Sequence, residues 1–254
     1  MINRTEIEQD LRHIADMLLL NGTLSDCPGL IHGKTGIALF FFHYARHTGN
    51  ELFENYAMDL IEEIQSQIHV NSPANYERGI AGIGTGIDYL IRNKYLEADD
   101  DIFDDLDQRM YRAVMYDPWQ DFSLYHGLAG YGRYWIMRLS QQAQSIQARE
   151  CLLHIAEQVE EKIPEISDKE QTDVCRFLHD LQPLSGFNNI CTEPLEQCRN
   201  RDIQYETDFA LKQIQDLDRE KPPAGMGLLT GYAGEGILRL TALNQTNRSW
   251  MNLL

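Results

Sequence analysis

The chain has 254 residues, 43% hydrophobic and 24% charged, so it is long enough for one large buried core and has an ordinary globular balance. Its formal net charge of −17 argues against nucleic acid as a partner, because phosphates would be repelled. No apolar run approaches the roughly 20 residues needed to span a bilayer. The charges at Arg4, Glu6 and Glu8 leave no apolar signal segment behind Met1, so no membrane insertion and a cytoplasmic location are expected. Five cysteines without a C-x-x-C pair are then expected to be reduced thiols.

Four segments share one pattern. In chain order they are His32-Gly33-Lys34-Thr35-Gly36, Arg78-Gly79-Ile80-Ala81-Gly82, His126-Gly127-Leu128-Ala129-Gly130 and Thr230-Gly231-Tyr232-Ala233-Gly234. The first glycines fall at 33, 79, 127 and 231. The last interval is close to two periods, which suggests a degenerate copy near Ser185-Gly186. A strongly apolar segment follows each motif, as in Ile37–Phe42, Ile83–Ile91 and Ile237–Leu243. Between motifs, Phe53, Ala57, Leu60, Ile61 and Ile64 share one face of a helix over 50–68. Ile102, Leu106, Met110 and Val114 do the same after an acidic start, and further stripes run through Ile146–Ile163 and Tyr205–Leu217. Each period therefore reads as a buried inner helix followed by an amphipathic outer one, in a single domain over 1–254. Glycines at i and i+3 permit a sharp turn and close helix approach, and they would leave helix N-terminal amides open to a ligand.

The four motifs, together with the ending Ser249–Leu254, resemble the lanthionine synthetase C-like family of peptide cyclases and their relatives. The resemblance implies an all-α fold, an α/α toroid with the Gly turns at one end, here a shortened or incomplete ring of about five hairpins. It also implies a peptide substrate or precursor peptide, a possible partner peptide-modifying enzyme, and zinc held by two cysteines and one histidine. Zinc would stabilise a substrate thiolate for addition to a dehydrated Ser or Thr. The nearest match to the family's Cys-His-Gly ligand pair is Tyr125-His126-Gly127, where tyrosine stands in for the thiolate, and no cysteine lies in any Gly motif. No metal or other cofactor is therefore expected.

His32, Arg78, Tyr125, His126 and Tyr232 each lie within two residues of a first glycine and are expected to line a shared peptide-binding cavity, joined by Glu77. His126 and Tyr125 are the candidates for proton transfer there. His43 and His47 have i, i+4 spacing without a third ligand, and Cys191 and Cys198 lack a nearby histidine, so neither pair predicts a metal site. Three functions fit: a peptide-binding accessory member without zinc catalysis, an active zinc-dependent thioether-forming cyclase, or a glycan-binding or glycan-hydrolysing toroid using Asp117 and Asp121 around Trp119.

Overall fold

A computed structural model describes residues 4–97, 99, 101–119, 121–162, 166–188, 190, 225–229, 231–244 and 249–254. The helical stripe read at Tyr205–Leu217, together with Cys191, Cys198 and Thr230, lies outside them. The helices are α1 (Arg4–Asn21), α2 (Lys34–Thr48), α3 (Glu51–Gln67), α4 (Ile80–Arg92), α5 (Asp104–Met115), α6 (Leu128–Gln141), α7 (Ile146–Lys162), α8 (Asp168–Leu181) and α9 (Tyr232–Asn244). A short 3-10 segment, Ser249–Leu253, follows. No β-strand forms among the described residues.

The helices form two layers of an α/α arrangement. Helices α9, α2, α4, α6 and α8 pack side by side as the inner layer, and α1, α3, α5 and α7 back them from outside. The outer helices have the expected one-sided burial: Ala57, Leu60, Ile61 and Ile64 in α3, and Leu106, Met110 and Val114 in α5. Inner helices are buried nearly all round, as in α2 from Lys34 to Phe42.

Small residues set the spacing of the inner layer. Gly84 faces the Tyr134 ring of α6, Gly132 faces Phe177 of α8, and Gly236 faces Phe40 of α2, with no room for a Cβ in any of them. Helices α6, α8 and α2 thus each insert an aromatic ring where the neighbouring inner helix has no side chain.

The glycine motifs make a specific turn. In front of α2, α4, α6 and α9 the chain folds back over the helix start, so that Lys34 N–H donates to Cys27 O (2.9 Å), Ile80 to Pro73 (2.9 Å), Leu128 to Asp121 (3.0 Å) and Tyr232 to Gly225 (3.0 Å). A Cβ on Gly82 would lie under 3.0 Å from the Tyr76 carbonyl, and one on Gly79 would meet the Pro73 carbonyl as closely. This corrects the expectation of open helix N-terminal amides. The preceding loop already satisfies them, so the glycines serve close backbone approach.

Two further expectations need correction. Ser185-Gly186 is not a degenerate Gly turn; Gly186, at φ +96°, follows the end of α8. The next inner helix is α8 itself, opened by a Ser167/Glu170 capping box. Cys175 is disulfide-bonded, against the reading of all thiols as reduced, whereas Cys27 and Cys151 are free.

At the end opposite the Gly turns, polar side chains tie neighbouring helices together. Asp107 of α5 accepts from Arg138 (2.7–3.0 Å) and from the Tyr134 hydroxyl (2.6 Å) of α6. His43 of α2 is bonded through both ring nitrogens, to the Tyr89 hydroxyl (2.9 Å) and the Tyr95 hydroxyl (2.8 Å), which excludes it as a ready metal ligand. Burial, aided by the Arg46 charge, lowers its pKa from 6.5 to about 4.

Two outcomes follow from this packing. Gly82→Ala should destabilise the fold by about 3 kcal/mol or more in thermal or chemical melts, because backbone must move. Gly225→Ala, with nothing within 4 Å of its Cβ position, should be nearly neutral. Neutral His43 contributes stability that is complete above pH 6.5 and is lost as pH falls towards 4, because the unfolded chain takes up the proton first. Between pH 7 and pH 5 that loss should be about 1–2 kcal/mol, and denaturant midpoints of His43→Leu should lack this component of the acid sensitivity.

Candidate functional site

The Gly turns gather at one end and are stitched to one another by backbone. Leu228 N–H donates to Ile31 O (2.7 Å), Ile31 N–H to Glu77 O (3.2 Å), and Tyr76 and Glu77 N–H to Tyr125 O (both 3.1 Å). The series ends on side chains, because α8 has no Gly turn. Phe122 N–H donates to the Glu170 carboxylate (2.9 Å) and Leu124 N–H to Asp173 (2.8 Å). Burial works to raise the Glu170 pKa, but hydrogen bonds from Ser167 and the Phe122 amide outweigh it and hold the carboxyl below its usual range.

This stitching aligns the residues just before each first glycine. His32, Arg78 and His126 occupy equivalent places on three adjacent turns, with Glu77 between them. Glu77 Oε1 lies 3.0 Å from His32 Nε2, while Oε2 lies 3.4 Å from His126 Nδ1 and 3.9 Å from Arg78 Nε. The Glu77 side chain is 17% exposed, against 37% for His32, 49% for His126 and 62% for Arg78. A sunken carboxylate therefore carries an exposed rim of two imidazoles and a guanidinium. When the imidazole nitrogen facing Glu77 is the one that carries the proton, the other, Nδ1 of His32 or Nε2 of His126, is an acceptor. Arg78 supplies donors beside them.

The other two expected members are placed differently. Tyr125 is half-buried against the core, and its carbonyl takes the two amides of the neighbouring turn. Tyr232 stands apart: it is buried, with its ring edge-on to His13 of α1 at 6.3 Å. It follows the first glycine instead of preceding it, so it begins the helix and faces the outer layer.

A small, shallow cleft opens between α6 and α8, lined by Leu124, Arg133, Asp173, Arg176, Phe177 and Asp180 among others. Sequence reading missed it, because α8 carried no Gly signature. The Asp117/Asp121 pair is engaged locally: Asp117 meets Arg112 Nε at 3.3 Å, and Asp121 accepts from the Ser123 amide and hydroxyl at 2.9 and 2.6 Å.

A zinc centre of two thiolates and one imidazole does not fit the described residues. Cys151 is buried, and its thiol is pushed up by burial, away from the thiolate form. Cys175 is disulfide-bonded, and Cys27 belongs to no group of three ligand side chains among the described residues. Among the described residues no three His, Cys, Asp or Glu side chains are arranged to hold a metal ion.

No curated protein sequence matches the chain. Among solved structures, nisin cyclase is similar over 99% of this chain and 97% of its own, at 12% identity and a TM-score of 0.49. The family model described as lanthionine synthetase C-like protein matches residues 25–173, more than half of the chain and the stretch that holds the first three Gly turns and the Glu77 rim. The chain belongs to the lanthionine synthetase C-like family.

Proposed function

We propose that this protein is a peptide-binding member of its family that serves maturation of a ribosomally made peptide without a zinc–thiolate centre. The observation that carries the reading is the Glu77 rim beside Tyr125-His126-Gly127. Where the family's chemistry needs a thiolate before the histidine, this chain has a tyrosine, and the histidine is turned to a carboxylate. The rim suits a peptide backbone. His32 Nδ1 and His126 Nε2 accept peptide N–H groups, and Arg78 donates to a carbonyl or carboxylate. Glu77 orients both imidazoles, so it acts as a positioning residue for the rim.

The test uses a fluorescein-labelled, dehydrated, uncyclised lanthipeptide precursor. The wild-type protein is expected to bind it without closing thioether rings, with or without added zinc. His126→Ala and Glu77→Gln should each weaken binding roughly five- to thirtyfold, the scale of a lost hydrogen bond to a charged group, with the melting temperature unchanged. Ring closure that depends on zinc would replace this reading with the active cyclase. Failure to bind, or unfolding of both variants, would remove it.

A further inference from the structure

The segment Ser249–Leu253 lies on the inner face of the helix layer. Trp250 Nε1 donates to Thr241 Oγ1 of α9 (3.0 Å), Tyr89 of α4 is hydrogen-bonded to Ser249, and the Tyr76 hydroxyl donates to Leu253 O (3.0 Å). Arg133 of α6 donates to Asn252 O and lies 5.5 Å from the Tyr76 ring. Thr241, Tyr89 and Arg133 sit on α9, α4 and α6, and Tyr76 in the turn before α4; the other faces of these helices are covered by the outer helices, so only the inner face reaches all of them. Ser249 meets the far end of α4 and Leu253 meets Tyr76 in the turn before its start, so the segment runs antiparallel to α4 towards the Gly-turn end. Trp250 and Leu253 are its buried anchors, at 1% and 4% exposed.

The way the segment is held has the form of peptide recognition. Two of its backbone carbonyls are taken by side chains, and an aromatic and an aliphatic residue three positions apart fill the apolar surface. The fit is also incomplete. Arg133 Nη1 is buried with no hydrogen-bond partner, so the groove lacks one acceptor while this segment occupies it. The same arginine lines the cleft between α6 and α8.

We propose that the inner face is a peptide-binding groove filled by the chain's own Ser249–Leu253, and that an apolar peptide with an aromatic and an aliphatic residue three apart binds there by displacing it. An incoming peptide with one further carbonyl or carboxylate would satisfy Arg133 Nη1, which gives it an advantage over the resident segment. The proposal rests on the peptide-binding reading above only for the source of the displacing peptide.

The probe is a fluorescein-labelled peptide spanning residues 249–254, added to the full chain. Trp250→Ala removes the resident anchor, and this variant should bind the probe at least tenfold more tightly than the wild type does. Adding Arg133→Ala to it should reverse most of that gain. Equal affinity in wild type and Trp250→Ala, or no binding to a folded Trp250→Ala chain, would overturn the groove. Hydrogen exchange on the wild type decides the matter if Trp250→Ala does not fold. Amides of Met251–Leu253 should exchange at least a hundredfold faster than those of Ile83–Tyr89 in α4, because the segment leaves without global unfolding. Exchange at the same rate as α4 would make the segment a fixed part of the core and end the proposal. The rim is tested separately: loss of probe binding in the groove with precursor binding still sensitive to Glu77→Gln rejects the groove alone, and the converse rejects the rim alone.

Discussion

The structure depends on backbone passing over backbone at the start of four of the inner helices, α2, α4, α6 and α9. Two glycines per turn, such as Gly79 and Gly82, let the preceding loop lie against the helix closely enough for its carbonyls to take the first amides. Helix starts normally leave such amides to solvent or to a capping side chain. Here the loop caps the helix, and this has a geometric consequence. With the loop held against its helix, its outer edge is free to bond to the next turn, so Leu228, Ile31, Glu77 and Tyr125 join in series. The helix layers are therefore tied at one end by main chain and at the other by side chains such as Asp107 with Arg138.

The side-chain end carries more electrostatic risk. Arg138 and Asp88 are buried, and burial raises the Asp88 pKa even though Arg92 and Arg138 oppose the shift. A buried charge is tolerated only with a full set of partners, and Arg138 has one, with Asp107 bidentate and the Phe103 ring 4.4 Å from its guanidinium carbon. Lys34 is handled in the same way at the Gly end, with Glu63 of the outer helix 2.6 Å from its ammonium. Lys34–Glu63 ties α2 to α3 within one hairpin, and Asp107–Arg138 ties α5 to α6 of the next hairpin.

Much of this was legible in the sequence because glycine spacing and helical stripes are local signals. The hairpins of α2–α3, α4–α5 and α6–α7, and the gathering of the turns at one end, follow from them. What was not legible is non-local or carried by backbone. Helix α1 pairs with α9 through Asp10–Arg239 across most of the chain, and no local pattern announces that. The carbonyls that close the turns belong to Cys27, Pro73, Asp121 and Gly225, which share no side chain, so the loss of open amides left no trace in residue types. Helix α8 escaped because its start uses Ser167 and Glu170 in place of glycine. That capping box, followed by the stripe Val174, Phe177, Leu178 and Leu181, was the signal available.

The same distinction explains the rim. A position before the first glycine belongs to the stitched loop edge, and a position after it belongs to the helix. His32, Arg78 and His126 lie before and meet at Glu77; Tyr232 lies after and is carried to α1. Glu77 occupies the place that Ile31 and Tyr125 hold in the flanking turns, so a single acidic substitution in the repeat turns a row of ordinary loop residues into a charged cluster. The repeat therefore supplies the frame, and its departures from regularity supply the chemistry. Tyr76 illustrates the point again. Its counterparts in the other turns are Leu30, Leu124 and Leu228, and its added hydroxyl is what reaches the Leu253 carbonyl on the inner face. Adjacent irregular residues in one turn thus face the two candidate binding surfaces, Glu77 the rim and Tyr76 the groove, and the second turn couples them through its own backbone.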